Sequence, residues 1–142
     1  MMTTENKKIV EGFFRTVQNR ELDKLTDYMS TEVIDHNKMI FGEEEKPGAA
    51  FDGIRQQLAA FHPYHIKVEE LIEEGNRVVA RITQSGTHSG THARMPDPTH
   101  RNFEVEIIFI FTIQKGKITE IRAVSDRLGL FFQLGWDWPK EN

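Results

Sequence analysis

The chain has 142 residues, 38% of them hydrophobic and 28% charged, and it contains no cysteine. That length suits one domain burying roughly 68–70% of its unfolded surface, enough for a core and a ligand cavity. Eighteen Lys and Arg against 22 Asp and Glu leave a net charge of −4. Such a balance excludes a generally basic nucleic-acid binder, and the missing Cys removes disulfides, thiolate nucleophiles, iron–sulfur clusters and Cys-based zinc sites.

The start, Met1–Lys8, is polar and leads into no signal-type apolar core. The densest apolar stretch, Ile107–Ile113, is far shorter than the roughly 20 residues of a membrane helix. A cytoplasmic protein with no membrane partner is expected.

In chain order, Ile9, Val10, Phe13, Phe14 and Val17 form one apolar stripe on a 3.6-residue repeat, a helix that Thr3 or Thr4 can cap. Leu22, Leu25 and Met29 predict a shorter second helix, and Val33–Asn37 a short extended segment. The run Glu43–Glu45 and Pro47-Gly48 reads as a loop. Asp52 can cap a third helix carrying Ile54, Leu58 and Phe61, stopped by Pro63.

Beyond Pro63 the period becomes two. Ile66, Val68 and Ile72 are expected on one strand face, with Lys67 and Glu69 on the other. Glu74–Arg77 is a hairpin turn into the strand Val78–Ser85, and residues 86–102 form a long irregular connection rich in Gly, Pro, Thr and His. Phe103–Ile113 is apolar on both faces, as a central strand would be. Lys115-Gly116-Lys117 turns into the strand Ile118–Ser125, and a last helix runs to Leu134 with Gly135 ending it. Helices followed by a strand meander predict one α+β domain over 1–142, with helices on one face of an antiparallel sheet and 136–142 as a C-terminal tail. A curved sheet of that kind leaves a concavity for a small ligand.

Five segments in order, VIDHN (33–37), DGIRQQLAAF (52–61), VEELIEEGNRVVARITQSGTHSG (68–90), QKGKITEI (114–121) and SDRLGLFFQLG (125–135), together resemble the SnoaL-like polyketide cyclase family. The resemblance spans about Lys8 to Gly135. It implies the cone fold of nuclear-transport-factor-2-like proteins, with three N-terminal helices enclosing a pocket against the sheet. It also implies a sheet-to-sheet homodimer and a ring closure of aldol type on a polyketide ester, with neither metal nor cofactor. Its acid–base carboxylate maps onto Asp126 and its His onto His36. Family members commonly carry an aromatic residue in the last strand before this Asp, where this chain reads Ile121-Arg122-Ala123. A non-catalytic protein holding a small apolar carbonyl compound in the same cavity is therefore the alternative.

Asp126 stands out from its setting alone, because it joins an apolar strand to the buried-looking helix Arg127–Leu134. A carboxylate desolvated there suits proton abstraction beside a carbonyl, whereas a plain helix cap is the structural reading; one residue can do both. His36 shares a face with Ile34 and can orient a substrate oxygen if that face meets the cavity. Arg81 and Arg122 lie in strands and can anchor a substrate oxygen, or simply sit on a solvated face. Arg122, Val124 and Asp126 are expected on one face. Phe109 is placed in the cavity wall, and Trp136 and Trp138 over a pocket mouth or dimer seam. The six histidines lack the spacing of a zinc site, so no metal is expected.

Overall fold

The computed structural model describes residues 4–36, 46–91 and 95–137. Helix α1, Glu5–Gln18, is capped by Thr4, whose side chain accepts from the Lys7 amide at 3.2 Å. Its stripe Val10, Phe13, Phe14 and Val17 is buried against the sheet. The second helix differs from expectation: Leu22–Asp27 is a 3₁₀ segment, and only Leu25 of it is buried. Six residues with one buried anchor have little to gain from a full α-turn.

Helix α2, Ala49–Ala60, starts earlier than expected, with Gly48 in the cap position. Asp52 lies inside its first turn, paired to Arg55 at 2.6 Å. The chain passes straight from α2 into a strand at Phe61, so Pro63 sits within that strand and is not the helix stop.

Five strands follow the order β1-β5-β4-β3-β2: β1 Met29–Asp35, β2 Phe61–Glu74, β3 Arg77–His88, β4 Asn102–Gln114 and β5 Lys117–Ser125. β2 to β5 form the expected antiparallel meander, with β4 in the middle. β1 corrects the all-antiparallel expectation by pairing parallel to β5. It is reached from α1 and left through α2, so nothing forces a hairpin there. The β4–β5 turn places Lys115 and Gly116 at φ 51° and 76°, the left-handed pair of a type I′ hairpin. Helix α3, Arg127–Gln133, closes the fold.

One register shift changes which residues face in. Val68 pairs with Ile82 but Glu70 with Arg81, so β2 carries an extra residue at Glu69. Ile66 and Val68 therefore pack on the core, while Ile72, expected beside them, is 56% exposed on the outer face and Leu71 turns inward.

The core lies between α1 and the inner sheet face. Phe111 is edge-on to Phe13 and Phe14, with centroids 5.7 and 5.6 Å away, and stacks on Phe109 at 5.2 Å. Arg20, at a left-handed φ of 61°, ties α1 to α2: its guanidinium donates to the Leu58 carbonyl at 2.8 Å and to that of Phe61. These bonds satisfy carbonyls at the open C-terminal end of α2. Arg20→Ala is expected to lower unfolding stability by about 1.5–3 kcal/mol, read as an earlier urea midpoint. Among the described residues, no helix is long and apolar enough to cross a membrane.

Candidate functional site

A cavity of about 570 Å³ opens between the helices and the inner sheet face. α1 contributes Phe13, Phe14 and Val17, and α2 contributes Ala50, Ile54 and Gln57. The sheet supplies Ile82, Gln84, Val105, Ile107, Phe109, Ile121 and Ala123. Ser125, Asp126, Arg127 and Leu130 line it where β5 runs into α3, and Asp35 where β1 ends. A mostly apolar wall with a few convergent polar groups is the usual form of a small-molecule site.

Asp126 is both cap and cavity residue. Its Oδ1 accepts from the Gly129 amide at 2.8 Å, closing the first turn of α3. The carboxylate is exposed at the cavity margin, not desolvated as its sequence setting suggested. Gly129 makes the arrangement fit, because a Cβ there would meet Asp126 Oδ2 at 2.1 Å. α3 is itself clamped to β4: Gln133 Oε1 accepts from the Glu104 amide at 2.7 Å, and its Nε2 donates to the Glu104 carbonyl at 3.1 Å. Leu130 and Leu134 bury the face beneath. The carboxylate therefore rides on a short helix fixed at both ends.

The other expected site residues divide. Phe109 does line the cavity, held edge-on by Phe14 at 5.4 Å. His36 is not among the lining residues; its Nε2 lies 3.3 Å from Glu120 Oε2 on the neighbouring strand. Val33 is buried, so alternation along β1 sends Asp35 inward, and Asp35 takes the cavity position.

Arg81 corrects its assignment as a substrate anchor. It sits on the outer face, bonded to Glu70 at 2.7 Å and Glu106 at 3.2 Å, and these carboxylates hold its guanidinium charged. Arg122 also faces outward, opposite Ile110, beside Val124 at 78% exposure. The expected common face of Arg122 and Asp126 fails because β5 ends at Ser125 and the chain turns into α3 before Asp126. Trp136 lies against Phe132, centroids 5.5 Å apart, outside the cavity lining. Trp138 is outside the described residues.

Besides Asp35, sequence reasoning missed the hydrogen-bonded group Gln84, Tyr64 and Gln57 in the cavity. Gln84 Nε2 donates to the Tyr64 phenol oxygen, with the Gln57 side chain as a second hydrogen-bonding neighbour. Burial pushes the Tyr64 phenol up to about 12. Its signal was present: in Val78, Ala80, Ile82, Gln84 the fourth inward place of an apolar row is polar.

His88 is buried under Phe61, which lowers its imidazole below the ordinary range. Its Nδ1 accepts from the Thr99 amide at 3.2 Å, pinning the connection to β4. His92 lies outside the described residues, and among those described no three His, Cys, Asp or Glu converge as a metal site.

The family model for SnoaL-like polyketide cyclase matches residues 8–134. The chain is 32% identical over 113 residues to aklanonic acid methyl ester cyclase DnrD of Streptomyces peucetius, covering 80% of this chain and 75% of that protein. It is 31% identical over 132 residues to nogalonic acid methyl ester cyclase of Streptomyces nogalater, covering 90% and 93%. In three dimensions it is similar to TsrD from Streptomyces laurentii, with a TM-score of 0.82, 25% identity and coverage of 95% and 98%.

Proposed function

The chain belongs to the SnoaL-like polyketide cyclase family, and we propose that it closes a ring in a small, largely apolar polyketide-type ester by an intramolecular aldol reaction without metal or cofactor. The observation that carries this reading is the Asp126 carboxylate at the margin of an apolar cavity, held there by α3. A carbon-bound proton beside a carbonyl passes to Asp126, leaving an enolate. The enolate carbon bonds to a second carbonyl carbon, and the resulting alkoxide takes a proton back from Asp126. Substrate and product are isomers, so nothing else is consumed. Phe14 and Phe109 flank the apolar body of the substrate. His36, paired with Glu120, is left a positioning part: it braces the end of β1 that presents Asp35.

The test is incubation with an aromatic polyketide methyl ester carrying an open β-dicarbonyl side chain, with EDTA present. Conversion to a product of unchanged mass that has lost one ketone carbon signal supports the reading. Intact ester recovered bound to the protein supports the binding-protein alternative.

We also propose a homodimer formed through the outer sheet face. Ile72, Ile108, Ile110 and Val124 are exposed there around the Arg81 ion pairs, and a stable dimer needs about 800 Å² from each partner. Light scattering is expected to give twice the 16.5 kDa chain mass. Ile110→Lys, which adds a charge beside Arg122, is expected to give the monomer.

A further inference from the structure

Burying an amide and a phenol in an otherwise apolar floor costs free energy unless they bond to something. Gln84 is 3% exposed and Tyr64 is 8% exposed, yet both line the cavity. Their mutual hydrogen bond uses one N–H of the Gln84 amide, and no other bond of that amide is found among the described residues. One N–H and the carbonyl oxygen are left to serve whatever enters.

The strand register places this pair. Gln84 sits opposite Val105, while Ser125 and Ile82 flank Ile107 one inward step away. Two strand spacings and one pleat step put Gln84 roughly 12 Å from Ser125. Between these ends the lining is Ile82, Val105 and Ile107. The cavity is thus apolar in the middle and polar at two opposite ends.

The two ends differ in charge. Asp126 is an acid, whereas Gln84, Tyr64 and Gln57 are neutral, and burial keeps the phenol protonated. Arg20, the cation felt by Tyr64, spends its guanidinium on the Leu58 and Phe61 carbonyls. A carboxylate buried there would lose hydration, and among the described residues the cation that acts on Tyr64 is already engaged, so the loss costs several kcal/mol.

We propose that Gln84 and Tyr64 form a subsite for one uncharged hydroxyl or carbonyl oxygen at the end of the ligand remote from Asp126, and that this subsite rejects a carboxylate. It rests on the reading of the cavity as a ligand site, and not on any chemistry at Asp126. A ligand that keeps the oxygen gains a hydrogen bond worth about 1 kcal/mol, close to fivefold in affinity.

The test uses three flat probes of one skeleton, naphthalene, 2-naphthol and 2-naphthoate, with dissociation constants from calorimetry. Wild-type protein is expected to bind 2-naphthol about fivefold more tightly than naphthalene, and 2-naphthoate more weakly than either. Gln84→Leu is expected to bring 2-naphthol to the naphthalene level without weakening naphthalene. Because Gln84→Leu takes one hydrogen-bond partner from the phenol and leaves Gln57, the double variant Gln84→Leu/Tyr64→Phe is measured with it, and thermal melts establish that both fold. A preference for 2-naphthol that survives in the double variant overturns the subsite. So does a preference lost in Asp126→Asn alone, or 2-naphthoate binding as well as 2-naphthol. Failure of ester turnover with the probe preference intact would remove the enzyme reading and leave this subsite standing.

Discussion

Replacing Asp126 with Asn is expected to lower kcat for ring closure by about 10²–10⁴-fold, the usual contribution of a positioned general acid–base group, while the melting temperature stays close to wild type. The separation is possible because Asp126 has two tasks. As a cap it accepts from the Gly129 amide, and Asn serves that end of a helix as well as Asp. As a base it must take a proton, which an amide cannot do. The measurement is single-turnover conversion beside a thermal melt. Full turnover in the Asn variant would leave Asp126 a cap and nothing more.

The largest stability effect is expected at Phe111. The side chain is fully buried in the middle strand and touches Phe13, Phe14 and Phe109. Phe111→Ala removes those ring contacts and leaves a void under α1 that a five-stranded sheet cannot collapse to fill, a loss of about 3–5 kcal/mol. Denaturant titration reads it directly. Phe109 provides the contrast: it stacks on the same ring but lines the cavity. Phe109→Ala joins the lost volume to an existing space, so its cost is expected to be smaller and its effect on ligand binding larger.

Periodicity was a good guide wherever an element kept one phase from end to end. The α1 stripe and the Lys115-Gly116 turn are both local, and each is where its pattern puts it. The misplacements come from phase breaks that a side-chain pattern does not display. The alternation in β2 predicts one face for Ile66, Val68 and Ile72, but the bulge at Glu69 that separates them is a property of the β2–β3 pairing, not of β2. Arg122 and Asp126 were assigned one face because the end of β5 depends on where α3 docks. The parallel partner of β1 is a long-range choice between edges.

Candidate-site residues follow the same division. Asp126 was legible because it sits at a boundary, between an apolar strand and an apolar helix. Asp35 was hidden by its neighbour His36, the more reactive-looking of two adjacent residues with opposite faces. Gln84 was hidden by being ordinary: one amide in a strand reads as surface until its burial is seen.

The extra residue at Glu69 has a consequence for how this surface can vary. β2 is in effect two half-strands of opposite phase, one giving Ile66 and Val68 to the interior, the other giving Ile72 to the outside. A substitution at Leu71 therefore acts on the core and one at Ile72 on the outer face, whereas an unbroken alternation from Val68 would exchange the two; one extra residue decides which of two adjacent apolar side chains the interior keeps.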